Sequence, residues 1–247
     1  MTKDEAIALL MGDFGPETLK TTARYVAPLF WQRPEKGHLR IMRNGSIFFL
    51  RPESVSFAVT SNHVFQAYIR DRESTSNITC QIGDMTFSPE ERLIESSDEL
   101  DIATFRVSSS EVSQLNKMEL TIWPPRVPEE GKGILFAGFP GHERFTLSSH
   151  EFSFGIYAAL GTATSISDRD ITCQFERENW IEISGFQVPP EGYDLGGMSG
   201  APLLTVIERS DLWIWTLGGV IREFNQPLEI LRASRADRIL PDGRLVN

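Results

Sequence analysis

Residues 196 to 207 read Gly-Gly-Met-Ser-Gly-Ala-Pro-Leu-Leu-Thr-Val-Ile, so a serine set among glycines leads directly into a short apolar run. Gly197 and Gly200 allow backbone conformations closed to other residues and let a second molecule approach Ser199 closely. Pro202 stiffens the exit from the turn. The apolar and β-branched residues that follow predict a strand rather than a helix. This stretch therefore predicts a β fold in which a tight turn exposes a hydroxyl.

Two interpretations of Ser199 follow from these residues alone. The serine is a nucleophile, with the N–H groups of Gly197 and Ser199 aimed at one point where an oxyanion could be held. Alternatively, the stretch is a glycine-rich surface turn with an incidental serine, because short motifs often match by chance. A nucleophilic serine needs a base and a group that orients the base, so the rest of the sequence must supply both.

The same pattern, short apolar runs separated by turn-forming residues, extends along most of the chain. Strands are predicted at 24–31, 39–43, 46–50, 55–60, 78–82, 92–95, 102–107, 134–138, 144–154, 159–166, 171–175, 180–183, 202–207 and 212–221. Asn44-Gly45 predicts a hairpin turn between two of them. Many short strands with helices only at the ends predict an all-β protein of two six-stranded antiparallel β-barrels.

The two ends and the middle of the chain give the predicted domain organisation. A capping-box pattern at Thr2 and Glu5, followed by apolar residues to Leu10, predicts a short N-terminal helix. Residues 228–240 have apolar residues at helical spacing and predict a closing helix. Residues 120–133 hold three prolines and two glycines, which exclude a helix or a central strand. The predicted organisation comprises an N-terminal extension at 1–22, a first barrel at 23–120, a linker at 121–133, and a second barrel with its helix at 134–247.

Composition limits the class of partner. The 247 residues include 24 basic and 34 acidic ones, giving a formal net charge of −10 without a concentrated basic run. Nucleic acid and anionic membranes are therefore not expected as partners. No stretch resembles a secretory signal or a membrane span, which predicts a cytoplasmic protein, or alternatively one from which a signal has been removed. Cys80 and Cys173 lie far apart and outside any metal-spacing or redox pair, so buried free thiols are expected rather than a disulfide.

Histidine positions restrict the candidates for the base. The four histidines, at 38, 63, 142 and 150, all precede Ser199, whereas an α/β-hydrolase places its histidine after the nucleophile. His63 ends an alternating strand-like run and is the candidate base. His38, His142 and His150 are interpreted as solvated or satisfied by a neighbour. Asp101, at the head of a predicted strand, is the candidate acid that would orient the imidazole.

Three segments together resemble the signatures of trypsin-like (chymotrypsin-fold) serine peptidases. They are Val59-Thr-Ser-Asn-His63-Val64, Leu100-Asp-Ile-Ala103 and Gly197-Met-Ser-Gly-Ala-Pro202, in that family's His, Asp, Ser order. Residues 138–141 and 217–221 are similar to lesser landmarks of the family's second barrel. The resemblance spans roughly residues 40 to 225 and depends on the three motifs occurring in order and in the predicted strand context.

The resemblance implies a role for each matching residue. His63 would be the general base, Asp101 its orienting acid and Ser199 the nucleophile, with the N–H groups of Gly197 and Ser199 as the oxyanion hole. The implied activity is cleavage of a polypeptide substrate through an acyl-enzyme, which requires no metal and no cofactor. Met198 stands where the digestive members have an aspartate that pairs with a newly cut amino terminus, and no cysteine flanks His63. The resemblance is therefore closer to bacterial or intracellular members.

The sequence leaves open which substrate side chain the primary pocket would accept. Tyr193 stands where the family sets the floor of its primary pocket, and the segment Arg222-Glu223-Phe224 would run alongside the substrate. Tyr193 suggests a pocket closed to long basic side chains, whereas Asp194 or Glu223 could receive one. The alternative function is a catalytically silent module that binds peptide or protein in the same cleft, or one activated by a protein partner that orders the glycine-rich loop at 192–197.

Overall fold

Strands dominate the protein, whose computed structural model describes residues 8, 10–33, 41–75, 78–147, 151–183, 188–209 and 212–246. The first half holds β1 Val26–Arg33, β2 Ile41–Leu50, β3 Phe57–Thr60, β4 Cys80–Ile82, β5 Met85–Phe87, β6 Leu93–Ser97 and β7 Ile102–Arg106. These form one antiparallel sheet in the order β5-β4-β1-β2-β3-β7-β6.

A second antiparallel sheet takes up most of the remaining chain. The strands that follow are β8 Gly133–Gly138, β9 Arg144–Thr146, β10 Phe152–Phe154, β11 Tyr157–Thr162, β12 Ser165–Ile166, β13 Asp170–Gln174, β14 Pro202–Arg209, β15 Leu212–Asn225 and β16 Ile230–Arg235. The second sheet has the order β11-β8-β14-β15-β16-β13-β12, while β9 and β10 pair separately. The predicted all-β architecture of two curled sheets is confirmed, with seven strands in each rather than six.

The two sheets share a core because their central strands are buried on both faces. Ile47 and Phe49 of β2 point into the core of the first sheet, whereas Phe48 and Leu50 point into a core shared with the second. The strand β8 alternates in the same way, with Ile134 and Phe136 in the second sheet's own core and Leu135 and Ala137 in the shared one. Continuous apolar runs are typical of strands covered on both sides. The shared core fixes the two sheets against each other, and the candidate site lies where they meet.

Four described helices are short, and the one that matters for the site was not predicted. They are α1 Phe14–Ala23, α2 Asn62–Ser74, α3 Pro89–Arg92 and α4 Ser109–Gln114. In α2, Val64, Phe65 and Tyr68 are buried at helical spacing, and the Asp71 carboxylate accepts a hydrogen bond of 2.9 Å from the indole N–H of Trp31. Polar residues between these anchors hide the pattern in the sequence. No described helix is long and apolar enough to cross a membrane.

The helix predicted between Thr2 and Leu10 lies mostly outside the described residues. Residues 121–132, where the linker is predicted, contain neither helix nor strand. The division of the chain into domains at these points remains a prediction.

The predicted hairpin turn at Asn44-Gly45 is wrong, because both residues lie inside the continuous strand β2. Asn44 pairs with Phe30 and Gly45 with Leu29 of β1. A Cβ at position 45 would lie 2.6 Å from the Val64 side chain and 3.3 Å from the carbonyl oxygen of Ser199. Glycine is therefore present for close approach to the site and not for a turn.

The predicted closing helix at 228–240 is also wrong. This segment forms a 3₁₀ turn at Gln226–Leu228, the strand β16 and a second 3₁₀ turn at Ala236–Arg238. The strand β16 pairs with β13 on one side and β15 on the other, so pairing on both edges overrides the helical preference of its Leu, Ala and Arg residues. The strand predicted at 180–183 is likewise absent from these described residues.

Candidate active site

Asp101 holds His63 through two contacts. One carboxylate oxygen of Asp101 lies 2.8 Å from the imidazole Nδ1 of His63, and the other accepts the backbone N–H of His63, also at 2.8 Å. The Asp101 side chain is 15% exposed, whereas that of His63 is 49% exposed. The acid is thus sheltered and directed at Nδ1, while the imidazole is about half exposed.

These contacts depend on the position of His63 in the first turn of α2. The first N–H groups of a helix have no partner inside it, and here Asp101 supplies two acceptors from outside. Its backbone carbonyl accepts the Asn62 N–H at 3.1 Å, and its carboxylate accepts the next one. Asp101 takes a left-handed backbone conformation, with φ of 51°, just before β7. A carboxylate at a helix amino terminus is also favoured by the helix dipole.

The first sheet holds the turn around Ser199 from one side. Ser46 in β2 donates its backbone N–H to the Ser199 carbonyl at 2.8 Å and its hydroxyl to the Gly197 carbonyl at 3.0 Å. The hydroxyl of Ser61, adjacent to α2, donates to the Ile221 carbonyl of β15 at 2.8 Å. Ser46 and Ser61 are fully buried. These contacts place the turn of Ser199 against the segment that carries His63.

Gly200 is required by both conformation and space. Its φ is +88°, and a Cβ there would lie 2.1 Å from the Ser46 carbonyl oxygen and 2.1 Å from the hydroxyl of Thr60. We expect Gly200→Ala to destabilise the protein by about 3 kcal/mol or more, because a left-handed backbone and an overpacked contact each cost about 1–2 kcal/mol. Gly131→Ala is the matched control, since Gly131 has φ of +78° and a Cβ there would meet nothing within 4 Å. Urea unfolding measures both, and equal losses would contradict this role of Gly200.

The Ser199 hydroxyl donates to the backbone carbonyl of Arg222 at 3.0 Å. The pairing of β15 with β16 shifts register between Ile221 and Glu223, so the carbonyl of Arg222 lies at a bulge where the ladder is interrupted. Among the hydrogen bonds of the described residues, none joins the Ser199 hydroxyl to the imidazole of His63. The structure therefore shows the serine in an orientation satisfied by β15.

Two backbone N–H groups in this turn are left without a described partner, those of Gly197 and Ser199. Their orientation is fixed through the carbonyl at the other end of each peptide unit. The Gly196 carbonyl accepts the N–H of Gly141 at 2.6 Å, and the Met198 carbonyl accepts that of Ala201 at 2.9 Å. Gly197 has φ of +101°, a conformation that favours glycine. Fixed amide donors that have no partner among the described residues can hold a negatively charged oxygen.

Tyr193, the predicted pocket floor, is buried, and its hydroxyl donates to the Glu143 carboxylate at 2.8 Å. Burial, reinforced by the negative charge of Glu143, raises the pKa of Tyr193 above its ordinary value. The exposed imidazole of His142 stacks against the Tyr193 ring, with centroids 4.9 Å apart. His142 is thus satisfied by an aromatic neighbour, and His38 and His150 lie outside the described residues.

The charged residues predicted to contact substrate have protein partners. Arg222 pairs with Asp170 at 2.8 Å, and Glu223 pairs with Arg232 at 3.0 Å. The exposed Asp194 accepts the N–H of Gly196 at 2.7 Å and so stabilises its own loop. Phe224 packs edge-on against Phe175 in the core of the second sheet. These residues lie along β15 and the turn around Ser199, and their contacts do not indicate which side chain a substrate would carry.

Sequence reasoning missed Asn44, Ser46 and Ser61, which connect the two sheets at the site. The only available signal was a polar residue inside an apolar strand, as at Ser46, and such residues often mark a buried hydrogen bond. Cys80 and Cys173 are buried and free, as predicted, and burial raises the pKa of the Cys173 thiol to about 11. Within the described ranges, no three His, Cys, Asp or Glu side chains are grouped to hold a metal ion.

No protein-family model matches the chain, and the search of curated proteins gives no match. Two solved structures, both from Sesbania mosaic virus, are similar in backbone. One is the serine protease domain of the viral polyprotein, with a TM-score of 0.43, 17% identity, and 84% of this chain and 86% of that chain covered. The other comes from work on the coupled folding and binding of the viral VPg protein, with a TM-score of 0.45, 16% identity, and coverages of 89% and 98%.

Proposed function

We propose that this chain is a serine endopeptidase that cleaves polypeptides through an acyl-enzyme. His63 serves as general base, Asp101 as the acid that orients it, and Ser199 as nucleophile. The observation that carries the proposal is the double contact of Asp101 with His63. Because the carboxylate accepts Nδ1–H, the lone pair of the imidazole is left on Nε2, the nitrogen that faces away from the acid.

The reaction requires the Ser199 hydroxyl to turn from the Arg222 carbonyl toward Nε2 of His63. This turn is a rotation of the Ser199 side chain between staggered conformers. The serine oxygen then bonds to the substrate carbonyl carbon while its proton passes to Nε2. The carbonyl oxygen becomes negatively charged and is held by the N–H groups of Gly197 and Ser199. When the C–N bond breaks, Nε2 returns the proton to the leaving amine, and water later releases the acyl group by the same steps.

A fluorophosphonate probe tests this proposal directly. We expect the folded protein at neutral pH to be labelled at Ser199, because the probe reacts with an activated serine and places its oxygen where the oxyanion forms. Peptide mapping by mass spectrometry identifies the modified residue, and heat-unfolded protein is the control for non-specific labelling. Labelling confined to other serines, or equal in folded and unfolded protein, would refute an active nucleophile.

A second candidate is a catalytically silent or partner-activated module that binds peptide or protein in the same cleft. The hydrogen bond from Ser199 to the Arg222 carbonyl favours it, because in this orientation the hydroxyl is not presented to His63. A polypeptide that bonds to the Arg222 carbonyl would compete for that acceptor and release the serine. Probe labelling of the protein alone supports the enzyme, whereas binding of peptides without labelling supports this module.

The cellular setting is part of the proposal. A cytoplasmic or otherwise reducing location, as in intracellular members of the trypsin-like class, is supported by the two buried free thiols of Cys80 and Cys173.

A further inference from the structure

We propose that Asn44 is a positioning residue that orients the Gly197 N–H for oxyanion binding, and that Arg144 fixes the side chain of Asn44 for this task. The inference rests on the proposed peptidase function. Asn44 lies in the middle of β2, in the first sheet, and Gly197 lies in a turn that belongs to the second half of the chain.

The Asn44 amide lies between two parts of the site. Its Nδ2 donates to the Phe139 carbonyl at 2.8 Å. The same nitrogen lies 2.6 Å from the place where Gly197 would carry a Cβ, so the amide packs directly against the Gly197 backbone. Any side chain at 197, or any movement of Asn44 toward it, would displace the peptide that carries the oxyanion donor.

The segment 139–141, which follows β8, links Asn44 to the turn around Ser199. Phe139 is held to β2 at both backbone groups, because its carbonyl accepts from Asn44 and its N–H donates to the Ser46 hydroxyl at 3.0 Å. Two residues later, the N–H of Gly141 donates to the Gly196 carbonyl at 2.6 Å. Since a peptide unit is planar and trans, fixing the Gly196 carbonyl points the Gly197 N–H in the opposite direction. Release of Phe139 would therefore loosen the orientation of this donor.

Arg144 determines which way the Asn44 amide faces. Its guanidinium donates to Oδ1 of Asn44 at 2.9 Å and to the Met42 carbonyl at 3.0 Å. An arginine has only donors, so Oδ1 must face it and Nδ2 must face Phe139. Arg144 is partly buried, which lowers its pKa, and no described carboxylate lies within ion-pairing distance. The partly buried guanidinium thus donates to two neutral acceptors, and these two hydrogen bonds hold β2 and the Asn44 side chain in place.

The test compares Asn44→Ala and Asn44→Asp with Asn179→Ala in steady-state hydrolysis of a peptide substrate. The aspartate still accepts from Arg144 but cannot donate to Phe139, so both changes at 44 should impair the site. We expect kcat to fall about 100-fold with KM nearly unchanged, in line with the loss caused by misplacing one oxyanion donor. Among the described residues, the exposed Asn179 side chain hydrogen-bonds only to Glu176, and its variant should match wild type.

A second readout separates positioning from a general loss of structure. A peptide aldehyde forms a tetrahedral adduct that uses the oxyanion donors, whereas a non-cleavable peptide analogue binds without forming one. Inhibition by the aldehyde should weaken in proportion to kcat, while binding of the analogue should not change. If Asn44→Ala does not fold, Arg144→Gln tests the same link from outside β2, with an expected loss in kcat of about 10-fold.

The outcomes distinguish this inference from the proposed function. An active wild type whose Asn44 variants keep kcat and aldehyde affinity within twofold would overturn the positioning role alone. Equal losses of analogue binding and kcat would also overturn it, since they indicate general damage. A wild type that neither turns over peptides nor binds the aldehyde would overturn the peptidase proposal, and this inference with it.

Discussion

Ser199→Ala is expected to lower kcat for peptide hydrolysis by about 10⁶-fold, the scale of loss when the nucleophile of a serine protease is removed. Alanine lacks the oxygen that would bond to the substrate carbonyl, while the amide donors of the turn stay in place. Peptide binding should therefore persist. The lost hydrogen bond to the Arg222 carbonyl should reduce the free energy of unfolding by about 1 kcal/mol.

Ser113→Ala provides the matched control for this change. The Ser113 hydroxyl also donates a single hydrogen bond to a backbone carbonyl, that of Ser109 at 2.8 Å, on the exposed side of α4. Its variant should keep wild-type activity and lose no stability, because alanine favours a helix more than serine does. Turnover is followed with a fluorogenic peptide mixture and binding by fluorescence anisotropy. A Ser199→Ala protein with wild-type turnover would show that the hydrolysis comes from another residue or from a contaminant.

Asp101→Asn is expected to reduce kcat by about 10⁴-fold, because it reverses the hydrogen-bonding sense at Nδ1 of His63. The asparagine oxygen can still accept the backbone N–H of His63, so the amide nitrogen is left facing Nδ1. An N–H there requires Nδ1 to accept, which places the imidazole proton on Nε2. In that tautomer Nε2 cannot take the proton of Ser199, and the base is lost while the shape of the site is kept.

Asp98→Asn separates this effect from a general change of charge. Asp98 lies in the same loop, is exposed, and accepts a hydrogen bond from the Asn62 side chain, which the amide oxygen of an asparagine could also do. Its variant should keep activity close to that of wild type. NMR of the His63 ring nitrogens reports the tautomer in each protein. Unchanged kcat in Asp101→Asn, with the tautomer shifted, would rule out His63 as the general base.

The sequence by itself determined the fold class and the residues to test. Alternating and continuous apolar runs specify strands because they match the two faces of a sheet, and the glycines around Ser199 specify a turn that other residues could not form. The pairing of His63 with Asp101 was predicted from the three motifs, but the sequence did not predict that His63 lies in the first turn of α2, where Asp101 also accepts its backbone N–H.

Tertiary structure alone decided how these parts are oriented. The strand β2 runs straight through Asn44-Gly45 because both residues pair with β1, and β16 replaces a helix because it pairs with β13 and β15 on its two edges. The direction of the Ser199 hydroxyl, the contact of Ser46 with Gly197 and the contact of Asn44 with Phe139 depend on hydrogen bonds between residues far apart in the chain. Local sequence cannot encode such contacts, since each partner's position is set only when the two sheets pack against each other.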